Sequence, residues 1–130
     1  MKIWIVSMEC AGIAEAGGVK NVTFSLCKEF SELKHKTTLF IPVYKCTCQD
    51  SLFEFKELET QAEIEQKRRK EKVSFTTAKS TANFDVVLIK HRLFEEKEAI
   101  YTYTENEERI NPAHKKGTGH FDALFLDVLF

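Results

Sequence analysis

Gly17 and Gly18, between a short apolar run and a helical apolar pattern, are the residues whose type and spacing could do chemistry in this 130-residue sequence. Adjacent glycines at a helix start let backbone N–H groups approach an anion, and the helix end turns roughly half a positive charge toward it. The chemistry this suggests is the holding of phosphate or diphosphate. A plainer reading also stands, in which the glycines make a tight turn that needs φ > 0.

Those residues need a strand before them and a helix after them. Ile3-Trp4-Ile5-Val6 is an apolar, β-branched and aromatic run that suits a strand buried on both faces. Small residues Ala11 to Ala14 form the loop. Val19, Val22, Leu26, Phe30 and Leu33 then recur at helical spacing, and the helix is expected to end near Lys34-His35-Lys36, where cations suit its dipole. Thr37 to Ile41 reads as a second buried strand halted by Pro42. Strand, helix and strand in so short a span predict a parallel sheet with a right-handed crossover. Asn83 to Ile89 supplies a third strand for the sheet interior.

Glu9, Ala16-Gly17-Gly18-Val19 with Asn21-Val22, and Leu39-Phe40-Ile41-Pro42-Val43-Tyr44 together resemble the N-terminus of the bacterial glycogen and starch synthases. His91-Arg92-Leu93-Phe94 and Ile100-Tyr101-Thr102-Tyr103 resemble later segments of that family, in its order. The resemblance implies an α/β fold with a Rossmann-like parallel sheet, the N-terminal half of a two-domain GT-B glycosyltransferase. It implies transfer of glucose from ADP- or UDP-glucose to an α-1,4-glucan with retention at the anomeric carbon. Substrate contacts would fall on Glu9, Glu15, Gly17, Gly18, Lys20 and Asn21, with no catalytic residue, cofactor or metal assigned to this stretch. Two positions depart from the family's Lys-x-Gly-Gly-Leu-Ala-Asp-Val motif: Glu15 stands where the lysine would be, and Asn21 where the aspartate would be. A carboxylate 4 Å from a phosphate charge costs roughly 4 kcal/mol at an effective dielectric near 20. Either Glu15 points away, or Lys20 supplies the charge, or another arrangement is used. For Glu9 two roles stay open, a sugar-cleft contact and an acceptor for the turn beneath it.

A formal net charge of −1 leaves no large positive field, so neither nucleic acid nor a membrane surface is an expected partner. No apolar run at the start is long enough for a signal core, and the protein is expected in the cytoplasm. Cys10, Cys27, Cys46 and Cys48 then fit free thiols, and Cys46-Thr47-Cys48 finds no second ligand pair at metal spacing. Glu95-Glu96 and Glu107-Glu108 read as solvated faces.

Phe53 to Leu58 and Lys72 to Thr77 alternate with period two and could pair as an added antiparallel hairpin. Between them the charged stretch around Lys67-Arg68-Arg69-Lys70 reads as a solvated arm, with helix over Leu58 to Lys70 an alternative on propensity. Glu95 to Pro112 reads as a polar loop anchored by Tyr101 and Tyr103. Phe121 to Phe130 is apolar apart from Asp122 and Asp127, a helix start without a solvent face and a possible homodimer contact. The whole chain, 1–130, is expected to be one incomplete synthase domain, inactive alone. The alternative is a non-catalytic glucan- or anion-binding module.

Overall fold

The computed structural model describes residues 1–66, 69–102, 104–113 and 115–116. In chain order the elements are β1 (Lys2–Val6), α1 (Val19–Glu32), β2 (Lys36–Pro42), β3 (Leu52–Glu57), β4 (Ala62–Gln66), β5 (Arg69–Ser80), β6 (Asp85–Lys90), α2 (Arg92–Glu95) and α3 (Glu105–Ile110). The sheet order is β1-β2-β6-β5-β3, with β4 paired to β5. β1, β2 and β6 run parallel, while β5 is antiparallel to β6, β3 and β4.

Two of the apolar runs, β2 and β6, become central strands because both faces of such a strand must leave water. β1, expected to be buried on both faces, is instead an edge strand with Trp4 and Val6 exposed, because no strand lies beyond it among the described residues. Leu39, Ile41, Val86 and Leu88 share one face of β2 and β6 and are fully buried, with Cys27 of α1 in the same core. The opposite face is half open: Thr38 and Phe40 are only partly covered. Removing roughly 100 Å² of apolar surface from water is worth about 2.5 kcal/mol, so the α1-covered face carries most of the cohesion.

α1 stops at Glu32, short of the basic residues expected to end it. Lys34 adopts a left-handed conformation at φ 66°, and the N–H groups of Leu33, Lys34 and His35 donate back to the carbonyls of Glu29, Ser31 and Phe30. That αL turn, made by Lys34 itself, closes the helix two residues before the first of these cations, so none of them lies in its last turn.

The added hairpin exists and joins the main sheet through β5. The register of β3 against β5 shifts between Phe53 and Lys56, and Glu54 sits at φ 54°, a bulge that simple alternation does not foresee. Within the stretch where helix was an alternative, β4 is a strand, because Ala62 and Ile64 gain a covered place against β5. The expected polar loop from Glu95 to Pro112 instead contains part of α2 and all of α3. Thr104 caps α3, its hydroxyl accepting the Glu107 N–H at 3.3 Å. Thr104 and Glu107 are a Thr-x-x-Glu capping pair, the signal that marks this helix start in sequence. Phe121 to Phe130 lie outside the described residues, as do His114, His120 and Tyr103.

Candidate functional site

The loop between β1 and α1 is built inward from Ser7. The Ser7 N–H donates to the Phe40 carbonyl at 3.1 Å, carrying the parallel ladder one residue past β1. Its hydroxyl donates to the Glu9 carbonyl at 2.8 Å and lies 2.9 Å from the Thr23 hydroxyl of α1. Cys10 and Ala14 then bridge, with the Cys10 N–H donating to the Ala14 carbonyl at 2.9 Å. Gly12 takes φ 79° at the tip of this small turn.

Gly12, not Gly17 or Gly18, is therefore the position that needs a glycine for its backbone. Gly18 is the N-cap of α1 at φ −78°, makes no side-chain cap, and a Cβ there would meet nothing within 4 Å. The backbone at the helix start is thus open to close approach.

Glu9 is completely buried beneath this turn. Its Oε2 accepts the N–H groups of Ala16 and Gly17, each at 2.8 Å. Burial pushes the carboxyl up, but the Gly17 and Ala16 donors, helped by the Tyr101 phenol and the Lys20 N–H, hold it below the usual carboxylate range. Oε1 is enclosed with no well-formed hydrogen bond. Burial and the Glu9 charge in turn push the Tyr101 phenol above its ordinary value. Of the two roles open for Glu9, holding the turn is seen directly.

The remaining candidates spread around it. Glu15 folds back, its Oε1 accepting the Gly12 N–H at 3.3 Å on an exposed surface. Lys20 is half-buried, and its carbonyl accepts the Ala11 N–H at 3.1 Å. Asn21 is exposed, with its N–H turned to the Gly18 carbonyl at 3.3 Å. The structure gathers Glu9, Gly17 and Gly18 at the α1 N-terminus and leaves the Glu15 carboxylate bonded to the neighbouring turn.

Tyr101 reaches Glu9 because its segment is clamped from behind. Lys97 is nearly buried; its Nζ donates to the Thr102 carbonyl at 3.0 Å and to Glu107 Oε2. The Glu98 N–H donates to the other Glu107 oxygen at 3.1 Å. Burial raises the Glu107 carboxyl, and Lys97 with the Glu98 N–H more than reverses this, so it too lies below the usual range. Glu107 is thus not the solvated residue its acidic neighbourhood suggests.

His91, at the carboxyl end of β6, is buried. Its Nδ1 accepts the Leu93 N–H at 3.1 Å, so Nε2 carries the proton and donates to Glu71 at 3.2 Å. His91 therefore caps α2 and ties it to β5. Among the cysteines, Cys10 and Cys27 are buried, with thiols pushed up by burial to about 12 and about 11, whereas Cys46 and Cys48 are exposed. No group of metal-ligating side chains occurs among the described residues, and none of their helices is long and apolar enough to cross a membrane.

A mixed α/β sheet whose parallel part, β1-β2-β6, has a strand, glycine turn and helix start at its first crossover defines a Rossmann-like fold. The family described as starch synthase catalytic domain matches residues 2–121. This chain belongs to that family. Among solved structures it is similar to the catalytic domain of Starch Synthase IV from Arabidopsis thaliana bound to ADP and acarbose, with a TM-score of 0.67 and 18% identity. That match covers 88% of this chain and 26% of the other, so the chain spans about a quarter of the relative's length. No curated protein matches.

Proposed function

We propose that this chain is the front part of a retaining glucosyltransferase that moves glucose from ADP- or UDP-glucose to the non-reducing end of an α-1,4-glucan. It acts in the cytoplasm and only together with the rest of a catalytic region. The observation that carries this reading is the Glu9-held glycine turn at the start of α1, in a chain of the starch synthase catalytic domain family.

The chemical need in such a transfer is to stabilise a departing diphosphate with fixed donors in a dry cleft. Glu9 takes the Ala16 and Gly17 N–H groups for itself, so it shapes the turn rather than leaving those donors free. Gly18, with open space where a side chain would stand, is where a phosphate or a sugar hydroxyl can come close to the α1 N-terminus. Gly17 contributes through its backbone N–H, which Glu9 holds in place; a Cβ there would meet Glu9 Oε1 at 3.5 Å, an ordinary contact. Lys20 and Asn21 flank the same opening, and Lys20 is the nearest cation in sequence. Glu15, turned to Gly12, removes the charge conflict its position suggests.

A quarter of a catalytic domain neither encloses a sugar nucleotide nor excludes water from it. Glucose incorporation into glycogen by this chain alone, from radiolabelled ADP-glucose or UDP-glucose, should equal a no-protein blank. Transfer clearly above the blank would show that the chain is complete in itself. A chain that binds glycogen tightly on a sedimentation assay yet never supports transfer, even when joined to the missing portion, would favour a non-catalytic glucan-binding module.

A further inference from the structure

Free cysteine is among the most buried of residue types; Cys10 and Cys27 follow that rule, and Cys46 and Cys48 break it. These two exposed thiols are separated only by Thr47, which holds the segment in shape from its middle. The Tyr44 N–H donates to the Thr47 hydroxyl at 2.8 Å, and the Thr47 N–H donates back to the Tyr44 carbonyl at 3.1 Å. Residues two apart have Cα atoms at most about 7 Å from each other even in extended chain. A disulfide spans about 4.4–6.8 Å between Cα atoms, so bending at Thr47 suffices to close one. The described residues supply no further side chains that would make this pair a metal-holding group. Thiol–disulfide exchange is the chemistry that two neighbouring exposed sulfurs support on their own.

The same segment is tied to the loop that leads into α1. The Cys48 N–H donates to the Ile13 carbonyl at 2.7 Å, and the Ile13 N–H donates to the Cys10 carbonyl at 3.0 Å. Ile13 thus lies inside the small turn closed by the Cys10–Ala14 bridge, between Glu9 and the two glycines. On its other side the Lys45 N–H donates to the Lys97 carbonyl at 3.0 Å. A bend at Thr47 that draws Cys46 and Cys48 together moves the Cys48 N–H, and with it the hold on Ile13.

We propose that Cys46 and Cys48 are a reversible redox couple, oxidised by small-molecule disulfides of the glutathione class, whose closure loosens the Cys10–Ala14 turn ahead of α1. The thiolate is the attacking form. Atoms packed around the Cys46 sulfur push its thiol up, which leaves Cys48 as the first attacker. The Cys48 thiolate bonds to one sulfur of the small disulfide, whose S–S bond breaks and releases a thiolate that takes up the proton Cys48 gave. Cys46 then loses its proton and attacks the Cys48 sulfur, closing the Cys46–Cys48 bond and releasing the second thiol. Two electrons and two protons pass from the protein to the small disulfide, which leaves as two thiols. Excess thiol reverses both steps. Cys10 and Cys27 stay out of this exchange, buried and with thiols pushed up to about 12 and about 11.

The test incubates the chain in glutathione buffers of rising oxidised fraction, alkylates the remaining thiols and digests with trypsin. Cleavage after Lys45 and Lys56 leaves both sulfurs in one peptide, 46–56. In oxidising buffer that peptide should become two hydrogens lighter and take no alkylating agent, and excess dithiothreitol should restore it. Cys46→Ser should stop at a glutathione adduct on Cys48. In the oxidised chain the Cys48 and Cys10 amides should exchange about tenfold faster, while the Val43 amide, bonded to the Ile89 carbonyl, should keep its rate. A peptide that stays fully alkylated in every buffer would overturn the couple, as would two glutathione adducts with no bridge or a covalent dimer. A bridge that forms without faster exchange at Cys48 and Cys10 would overturn the link to the turn. These readings need only the unaltered chain, so they decide even if the variant does not fold.

Discussion

The carboxylate of Glu9 accepts the backbone N–H of Gly17 at 2.8 Å, and the same oxygen takes the N–H of Ala16 at the same distance. One buried side chain thus fixes the conformation of the turn that opens α1. Glu9→Ala leaves two donors facing a void, and each unsatisfied buried donor costs about 1–3 kcal/mol. A loss of about 2–4 kcal/mol in urea unfolding is expected, with Glu9→Gln losing about half as much because its carbonyl oxygen can still accept. Equal stability of Glu9→Ala and the unchanged protein would mean that water replaces the carboxylate without cost.

Acid should unfold the protein through the same group and two others. Glu9, Glu71 and Glu107 all have carboxyls held below the usual range in the folded state. Glu71 owes this first to the His91 hydrogen bond and then to Arg92. A depressed folded pKa means the unfolded chain takes up protons first, so the stabilisation is complete above the unfolded value of 4.5 and is lost as pH falls below it. Melting temperature should therefore be flat above about pH 5.5 and fall steeply below pH 4.5. Glu107→Gln should shallow that slope; an unchanged slope would show that Glu107 is not among the groups responsible.

How far the fold could be read beforehand depended on the kind of interaction involved. β2 and β6 were legible because burial writes itself into runs of apolar residues. β1 and α1 stand where their patterns put them, but their burial was misread: Trp4, Val6, Val19, Val22, Leu26 and Leu33 are exposed, and Thr23 and Cys27 form the buried side of α1. The bulge at Glu54 and the αL turn at Lys34 were not legible, since ordinary residues occupy backbone conformations that composition does not announce. In the site, the place of Gly17 and Gly18 at the helix start could be foreseen from spacing, and Glu9 beside them was pointed to by the family resemblance. The partnership of Glu9 with Tyr101 could not, because it joins segments far apart in sequence. Glu107 was missed although its pairing with Thr104 is a recognisable helix-start signal, which an acidic neighbourhood disguised.

Glu15 gives a prediction about anions. Its carboxylate is exposed and bonded to the Gly12 N–H rather than turned into the opening at Gly18. Glu15→Lys should raise pyrophosphate affinity by about two- to fivefold at low salt, the size of an exposed charge effect of 0.4–1 kcal/mol. The gain should shrink in 0.5 M salt, where the Debye length is only about 4 Å. Titration calorimetry giving equal affinities at low salt would place any anion site beyond the reach of residue 15.

The clamp behind Tyr101 can be tested by removing its two charges separately and together. Lys97 and Glu107 are both nearly buried, and each holds backbone partners besides the other: the Thr102 carbonyl for Lys97, the Glu98 N–H for Glu107. Removing one partner of such a pair strands the other charge away from water, which costs about 3–5 kcal/mol. Lys97→Met and Glu107→Leu should each fall in that range by urea unfolding. Replacing both takes two charges out of the interior at once, so the double variant should be more stable than either single one, recovering at least about 2 kcal/mol. The segment would then be held by packing alone, and Tyr101 would sit less firmly against Glu9. Its phenol, pushed up by burial and the Glu9 charge, should titrate closer to the ordinary tyrosine value in Lys97→Met. A tyrosine absorbance titration unchanged by Lys97→Met, alongside additive losses in the double variant, would show that the clamp neither couples its two charges nor positions Tyr101.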